Sequence, residues 1–176
     1  MKGVISKKYV NALMKICNDD EISSIYNSID EISKAFSYAK FNNIILSPDL
    51  SKNEKEKFVL SLQENVGVKL LNLIKLLAEN DRLYLIPSIS KELRYKISLK
   101  NNSYDGEVVS NFEISSEQIT KLEDNLSKKF NANITLNGVV SSYPGVKIQL
   151  DDLGIEVSFS LDRLKSQMVE HILKAI

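Results

Sequence analysis

Four adjacent polar residues, Glu79, Asn80, Asp81 and Arg82, interrupt two apolar runs. They carry what proton transfer to a bound anion would need, two carboxylates and a guanidinium. Adjacency argues against that chemistry. Neighbouring residues in a helix or turn splay in different directions, so the four side chains do not converge on one reacting atom. Asp81 is placed to cap the following helix, where a carboxylate accepts orphan N–H groups. The tetrad is expected to be a corner between helices.

Metal chemistry has two candidates, the acidic clusters Asn18-Asp19-Asp20-Glu21 and Asp151-Asp152-Leu153-Gly154. A calcium loop alternates its oxygen ligands around a glycine and ends in a distal glutamate, and neither cluster has that spacing. A helix cap and a hairpin turn are the expected roles. The sole histidine, His171, has no cysteine nearby for a zinc site and no visible triad partner. Cys17 lies on an apolar helical arc, where a thiol is ordinarily a small hydrophobe. Being single, it forms no internal disulfide, which fits a reducing compartment. The six glycines, at 3, 67, 106, 138, 145 and 154, form neither GxGxxG nor a phosphate loop. No catalytic, cofactor-binding or metal-binding residue is expected.

The whole chain supports a folded, non-nucleic-acid class. Of its 176 residues 43% are apolar and 26% charged, enough for a core. Lys+Arg and Asp+Glu number 23 each, so the basic excess that neutralises phosphates is missing. Lys7 and Lys8 interrupt any signal-like apolar stretch at the start, and no run approaches the roughly 20 apolar residues of a membrane span. The prediction is a cytoplasmic chain that reaches a membrane only through other proteins.

The elements that would position any site change character along the chain. Ile5, Tyr9, Ala12, Leu13, Ile16 and Cys17 form a helical stripe, as do Ile22, Ile25, Tyr26, Ile29, Ile32 and Phe36. Ser51 and Glu54 make a capping box before Phe58, Leu60 and Leu62. A fifth helix is predicted from about Val66 to Glu79. A sixth is predicted from about Leu83 to Leu99, with Ile86, Ile89, Leu93 and Ile97 inward and Pro87 near its first turn. Beyond residues 101–106 the period changes. Val108, Ser110, Phe112 and Ile114 share one face of a predicted strand. Ser115 and Gln118 cap a helix carrying Ile119, Leu122, Leu126 and Phe130. Two further strands, 145–150 and 154–159, follow around a short hairpin, and Ser160 caps a last helix with Leu161, Leu164, Met168 and Ile172. The fold class is therefore α+β, a helical domain over residues 1–104 and a smaller α/β domain over 105–176, the latter with a short sheet and two helices.

Two helices are more apolar than a core-facing stripe requires. In the first, residues from Ala12 round to Met14 cover an arc of about 200°, where about 100° would suffice. In the fifth, Leu76 falls inside the sparse polar wall of Lys69, Asn72, Lys75 and Glu79. Both helices are either central in their bundle or the walls of a groove for a partner's amphipathic helix.

Four segments in order resemble the delta subunit of F-type ATP synthases, the family of the mitochondrial oligomycin-sensitivity-conferring protein. KKYVNALMK resembles its N-terminal basic-pair, Tyr-Ala-x-Ala-Leu motif, and ILSPDLSKNEKEKFV its Ser-Pro segment. LLNLIKLLAENDRLYLIPSI is similar to its apolar helix followed by Glu-Asn-x-Arg-Leu and Leu/Ile-Pro. PGVKIQLDDLGIEVSFSLDRLKSQM follows its closing pattern, with Pro144, Glu156 and Val157 departing from it and Val139-Val140 where Asp-Pro is usual. The resemblance implies a non-catalytic stator of the peripheral stalk, without cofactors, at the cytoplasmic face of the inner membrane. Its six-helix N-terminal domain would receive the alpha-subunit N-terminus in a groove of the first and fifth helices, lined by Tyr9, Leu13, Leu73 and Leu76. Its C-terminal domain would hold the b subunits. From other classes stand a free-standing peptide-binding adaptor and a small hydrolase using Asp151, Asp152 or Glu156.

Overall fold

Short-range capping sets the starts of two helices in the first half of the chain. The computed structural model describes residues 2–63, 66–150 and 153–160, with α1 over Lys2–Ile16 and α2 over Asp19–Ala35. The Asn18 side chain accepts from the Glu21 N–H at 2.8 Å, and the Glu21 carboxylate accepts from the Asn18 N–H at 2.9 Å. This reciprocal box makes the acidic cluster at 18–21 a helix start. Ser51 and Glu54 repeat it ahead of α4, Lys52–Leu60.

Between them lies α3, Ala39–Leu46, to which the apolar period assigned no helix. It buries only Phe41 and Ile45, one turn apart, too few to show a stripe. Phe41 meets Phe36 edge-on at 4.9 Å and Phe58 at 5.3 Å, tying α3 to its neighbours.

The fifth helix, α5, spans Val68–Glu79, with Gly67 as its N-cap. The expected sixth helix is split. A 3-10 turn, Leu83–Leu85, precedes α6, Ile86–Asn101. Pro87 is then the second residue of α6, where a missing N–H costs no intrahelical bond. Ile74, Leu77, Leu85, Ile86, Ile89 and Leu93 are fully buried with Val10, Ile29, Ile32 and Val59 in one helical core.

Asp81 does not cap the following helix. It sits at φ 54°, in the left-handed region, with its N–H on the Ala78 carbonyl at 3.0 Å. The Arg82 N–H reaches back to the Leu77 carbonyl at 2.7 Å. These two bonds are a Schellman closure of α5, so Asp81 terminates one helix and caps none. Lys52 Nζ holds the turn, 2.7 Å from the Asp81 carboxylate and 2.7 Å from the Glu79 carbonyl.

The chain divides into two compact units, Met1–Ile97 and Ser98–Ile176. In the second, β1 (Ser103–Ser110), β2 (Asn133–Val140), β3 (Gly145–Leu150) and β4 (Ile155–Ser160) form a sheet in the order β2-β1-β3-β4. The β1–β2 pair is parallel, joined through α7 (Ser116–Phe130), and the other pairs are antiparallel. Register puts Tyr104, Val108, Ile134, Leu136, Ile148 and Leu150 on one face and Asp105, Glu107, Thr135, Lys147 and Gln149 on the other. Ile119, Leu122, Leu126 and Phe130 of α7 pack on the apolar face.

Two strand expectations need correcting. The strand predicted through Ile114 stops at Ser110, whose hydroxyl donates to the Phe112 carbonyl and bends the chain. Strand β2 has no counterpart among the expected strands, and it contains Asn137-Gly138, a pair of turn-type composition. Here Gly138 stays extended beside β1 while Ile119 of α7 lies over it. The predicted last helix, part of the Asp151-Asp152 hairpin and His171 lie outside the described residues.

Strand β2 is an edge, and α7 guards its first half. The outward N–H groups of Ile134 and Leu136 donate to Ser127 Oγ at 3.1 Å and Glu123 Oε1 at 2.7 Å. Those donors would otherwise be open to a foreign strand. The double variant Glu123→Ala/Ser127→Ala is expected to lose about 2–3 kcal/mol, the sum of one charged and one neutral hydrogen bond. Thermal melting should show the loss and light scattering an increased self-association. An unchanged melt and a monodisperse sample would refute the guarding role.

Candidate functional site: the seam of α1 and α5

Ile5, Tyr9, Ala12 and Ile16 recur at spacings of four, three and four, so they share one face of α1. Lys69, Leu73 and Leu76 do the same on α5 at four and three. Two cross-helix hydrogen bonds bring these faces together. Lys69 Nζ, in the first turn of α5, donates to the carbonyl of Ile16, the last residue of α1, at 2.8 Å. At the other end Arg82 Nη1 donates to the Tyr9 hydroxyl at 3.1 Å. The two helices therefore run antiparallel, pinned near both ends of a shared seam.

The four expected groove residues divide between floor and wall. Leu13 and Leu73 are buried in the helical core, so they support the seam from below. Tyr9 is half-buried. Leu76 is 46% exposed and Ile16 63% exposed, whereas Leu77 and Leu13 on the same helices are buried. Sequence reasoning did not select Ile16, Lys69 or Arg82 for the site. Ile16 was visible in the apolar arc of α1, whereas Arg82 sits in the polar tetrad and reaches α1 only because the Schellman turn redirects the chain.

The electrostatics at the Lys69 end are closed. Lys69 lies 2.6 Å from the Glu21 carboxylate. That bond, with the Asn18 N–H, holds the Glu21 carboxyl below the usual carboxylate range. Burial pushes the Cys17 thiol up, with the Lys69 charge opposing, so Cys17 is not an activated nucleophile. An open concavity of about 540 Å³ lies beside this end, lined by Asp20, Glu21, Ser24, Ile25 and the start of α5. Its Glu21 and Lys69 neutralise each other. Among the described residues no cluster could hold a metal ion.

A sequence model of the ATP synthase delta (OSCP) subunit matches residues 5–168, nearly the whole chain. The chain belongs to the ATP synthase delta (OSCP) subunit family. Relatives agree along their full lengths. It is 51% identical to the ATP synthase subunit delta of Campylobacter concisus and 42% identical to that of Aliarcobacter butzleri, covering 100% of both partners in each comparison. The fold is similar to that of a chain in the cryo-EM structure of the Toxoplasma gondii mitochondrial ATP synthase hexamer. There the TM-score is 0.70 at 18% identity, over 96% of this chain and 97% of that one.

As a delta-family member the protein is a peripheral-stalk stator subunit of the ATP synthase, a structural component and not a catalytic one. It belongs to a membrane-associated complex, and among the described residues no helix is long and apolar enough to cross a membrane.

Proposed function

We propose that the α1–α5 seam receives the amphipathic N-terminal helix of the ATP synthase alpha subunit, and that the second unit holds the ends of the b subunits. The delta subunit would then tie the catalytic sector to the stalk at the cytoplasmic face and resist rotor torque. The two units, Met1–Ile97 and Ser98–Ile176, would serve the two partners separately.

The exposure of Leu76 is the observation that carries the seam assignment. A leucine 46% exposed on α5, with the half-buried Tyr9 and the exposed Ile16 on α1, is apolar surface that the isolated protein leaves wet. A helix laid in a groove is read through anchors of this kind, spaced about one turn apart. For the second unit, support comes from Phe112, 49% exposed at the mouth of a hollow of about 340 Å³ lined by Ile114, Leu122 and Val146.

Titration calorimetry with a synthetic peptide of the alpha-subunit N-terminus tests the seam. Saturable one-to-one binding is expected, with the peptide raising the melting temperature by mass action. A peptide taken from the C-terminal end of the b chain should bind without competing. Mutual displacement of the two peptides, or no saturable alpha binding, would reject the assignment.

A further inference from the structure

Asn137-Gly138 is the only asparagine–glycine pair in the sequence, and the fold leaves its turn character unused inside β2. The N–H groups of Asn133 and, just past the strand, Ser141 donate inward to the Asn102 and Ser110 carbonyls at 2.9 and 2.7 Å. Alternation along the strand therefore turns the N–H groups of residues 135, 137 and 139 toward β1 and those of 134, 136, 138 and 140 outward. Ser127 and Glu123 of α7 accept from the first two outward groups, and their cover ends at Leu136. The Gly138 N–H has no such acceptor among the described residues, and the exposed Asn137 side chain makes no hydrogen bond with them. Gly138 also puts no Cβ beside that nitrogen. An amide carbon and an open backbone nitrogen thus stand next to each other on a free edge.

We infer that Asn137 is a self-modification site, converted to isoaspartate and aspartate through a cyclic imide formed with Gly138 at the unguarded end of β2. In that step the Gly138 nitrogen gives its proton to hydroxide and bonds to Asn137 Cγ. The Cγ–Nδ2 bond breaks, and ammonia leaves with a proton taken from water. A second water opens the ring at either carbonyl, so the chain runs through the side chain as isoaspartate or is restored as aspartate. Ring closure turns the Asn137 ψ away from its extended value, so residues 137–140 must first leave β1. That segment is the one free to do so. It lies on an edge, Gly138 has no side chain to pack, and Val139 and Val140 are exposed. Asp105-Gly106 could form the same ring, yet Gly106 is buried in β1, which β2 and β3 flank. The product alters the sheet. Register sets position 137 opposite Glu107, so the new carboxylate faces a like charge. Isoaspartate also lengthens the backbone, which moves residues 138–140 out of register with β1.

The test is peptide mass mapping of the full-length protein during incubation at mildly alkaline pH. Asn137 is expected to gain the mass of an amide turned acid before any other asparagine does, with isoaspartate in excess of aspartate. Gly138→Ala adds a Cβ that meets only Ile119 Cδ1, so the strand keeps its place while the new methyl crowds the ring, and conversion should nearly stop. Glu123→Ala/Ser127→Ala loosens the edge and should speed conversion about tenfold, the factor that 1.4 kcal/mol of lost closure gives. In the converted protein the amides of residues 138–140 should exchange faster while α1 and α5 keep wild-type protection. Asn137 persisting while another asparagine converts, aspartate appearing without isoaspartate, or Gly138→Ala converting as fast as wild type would each overturn the site. An equal rate in the double variant and wild type would overturn opening of the edge as the controlling step. Should the double variant unfold, Ser127→Ala, which removes one bond, decides alone.

Discussion

Leu77→Ala is expected to lower the unfolding free energy by about 2–5 kcal/mol, whereas Leu76→Ala, one residue earlier, should leave it nearly unchanged. Leu77 is fully buried against the helical core, and truncation there removes transfer energy and leaves a cavity. Leu76 is 46% exposed on the seam, and its removal empties nothing inside the monomer. Peptide binding should show the reverse order. Leu76→Ala would lose about 1–2 kcal/mol of affinity, roughly five- to thirtyfold, while folded Leu77→Ala would bind nearly as wild type. Urea titration and calorimetry on the two variants measure both halves. Strong destabilisation by Leu76→Ala with binding per folded molecule intact would move that residue into the core and out of the groove.

The contrast between these neighbours was half legible in the sequence. Period alone placed Leu76 among polar residues, because a 3.6-residue repeat distinguishes one side of a helix from the other without knowing what packs there. It did not reveal that Leu13 and Leu73 form the floor, since a buried leucine and a partner-facing leucine have the same composition. Capping boxes were the most readable signals. Asn18-Glu21, Ser51-Glu54 and Ser115-Gln118 are local chemistry, and their bonds span three residues. The left-handed Asp81 was not readable, because glycine usually fills that place and aspartate suggested an N-cap instead. Arg82 was lost with it. Its partner Tyr9 lies 73 residues away, and no local pattern announces a contact across that separation. Strand β2 failed for a related reason. The turn character of Asn137-Gly138 is overruled by the parallel pairing with β1 and by the cover that α7 provides, both tertiary effects.

Gly106→Ala should destabilise the second unit by about 1–3 kcal/mol through overpacking. Gly106 is a buried position on the apolar face of β1, with no unusual backbone angle to explain it. The reason is space. A Cβ there would lie 2.4 Å from Leu150 Cδ2 and 2.7 Å from the Gln149 carbonyl oxygen of β3. The leucine methyl can swing aside, but the carbonyl belongs to the strand paired with β1, so relief requires the two strands to part. That opposes the gain of a few tenths to about 1 kcal/mol that alanine ordinarily brings over glycine in a strand. Gly138→Ala is the matched control. Its Cβ would meet only Ile119 Cδ1, at 3.2 Å, the mobile end of a side chain on α7. Amide hydrogen exchange on both variants separates the cases. In Gly106→Ala the amides of β1 and β3 should exchange faster while those of α1 and α5 keep wild-type protection, and the alpha peptide should still bind. Gly138→Ala should exchange as wild type. Equal loss of protection in α1 and α5 would mean that the two units unfold as one, and the separate service of two partners would lose its physical basis.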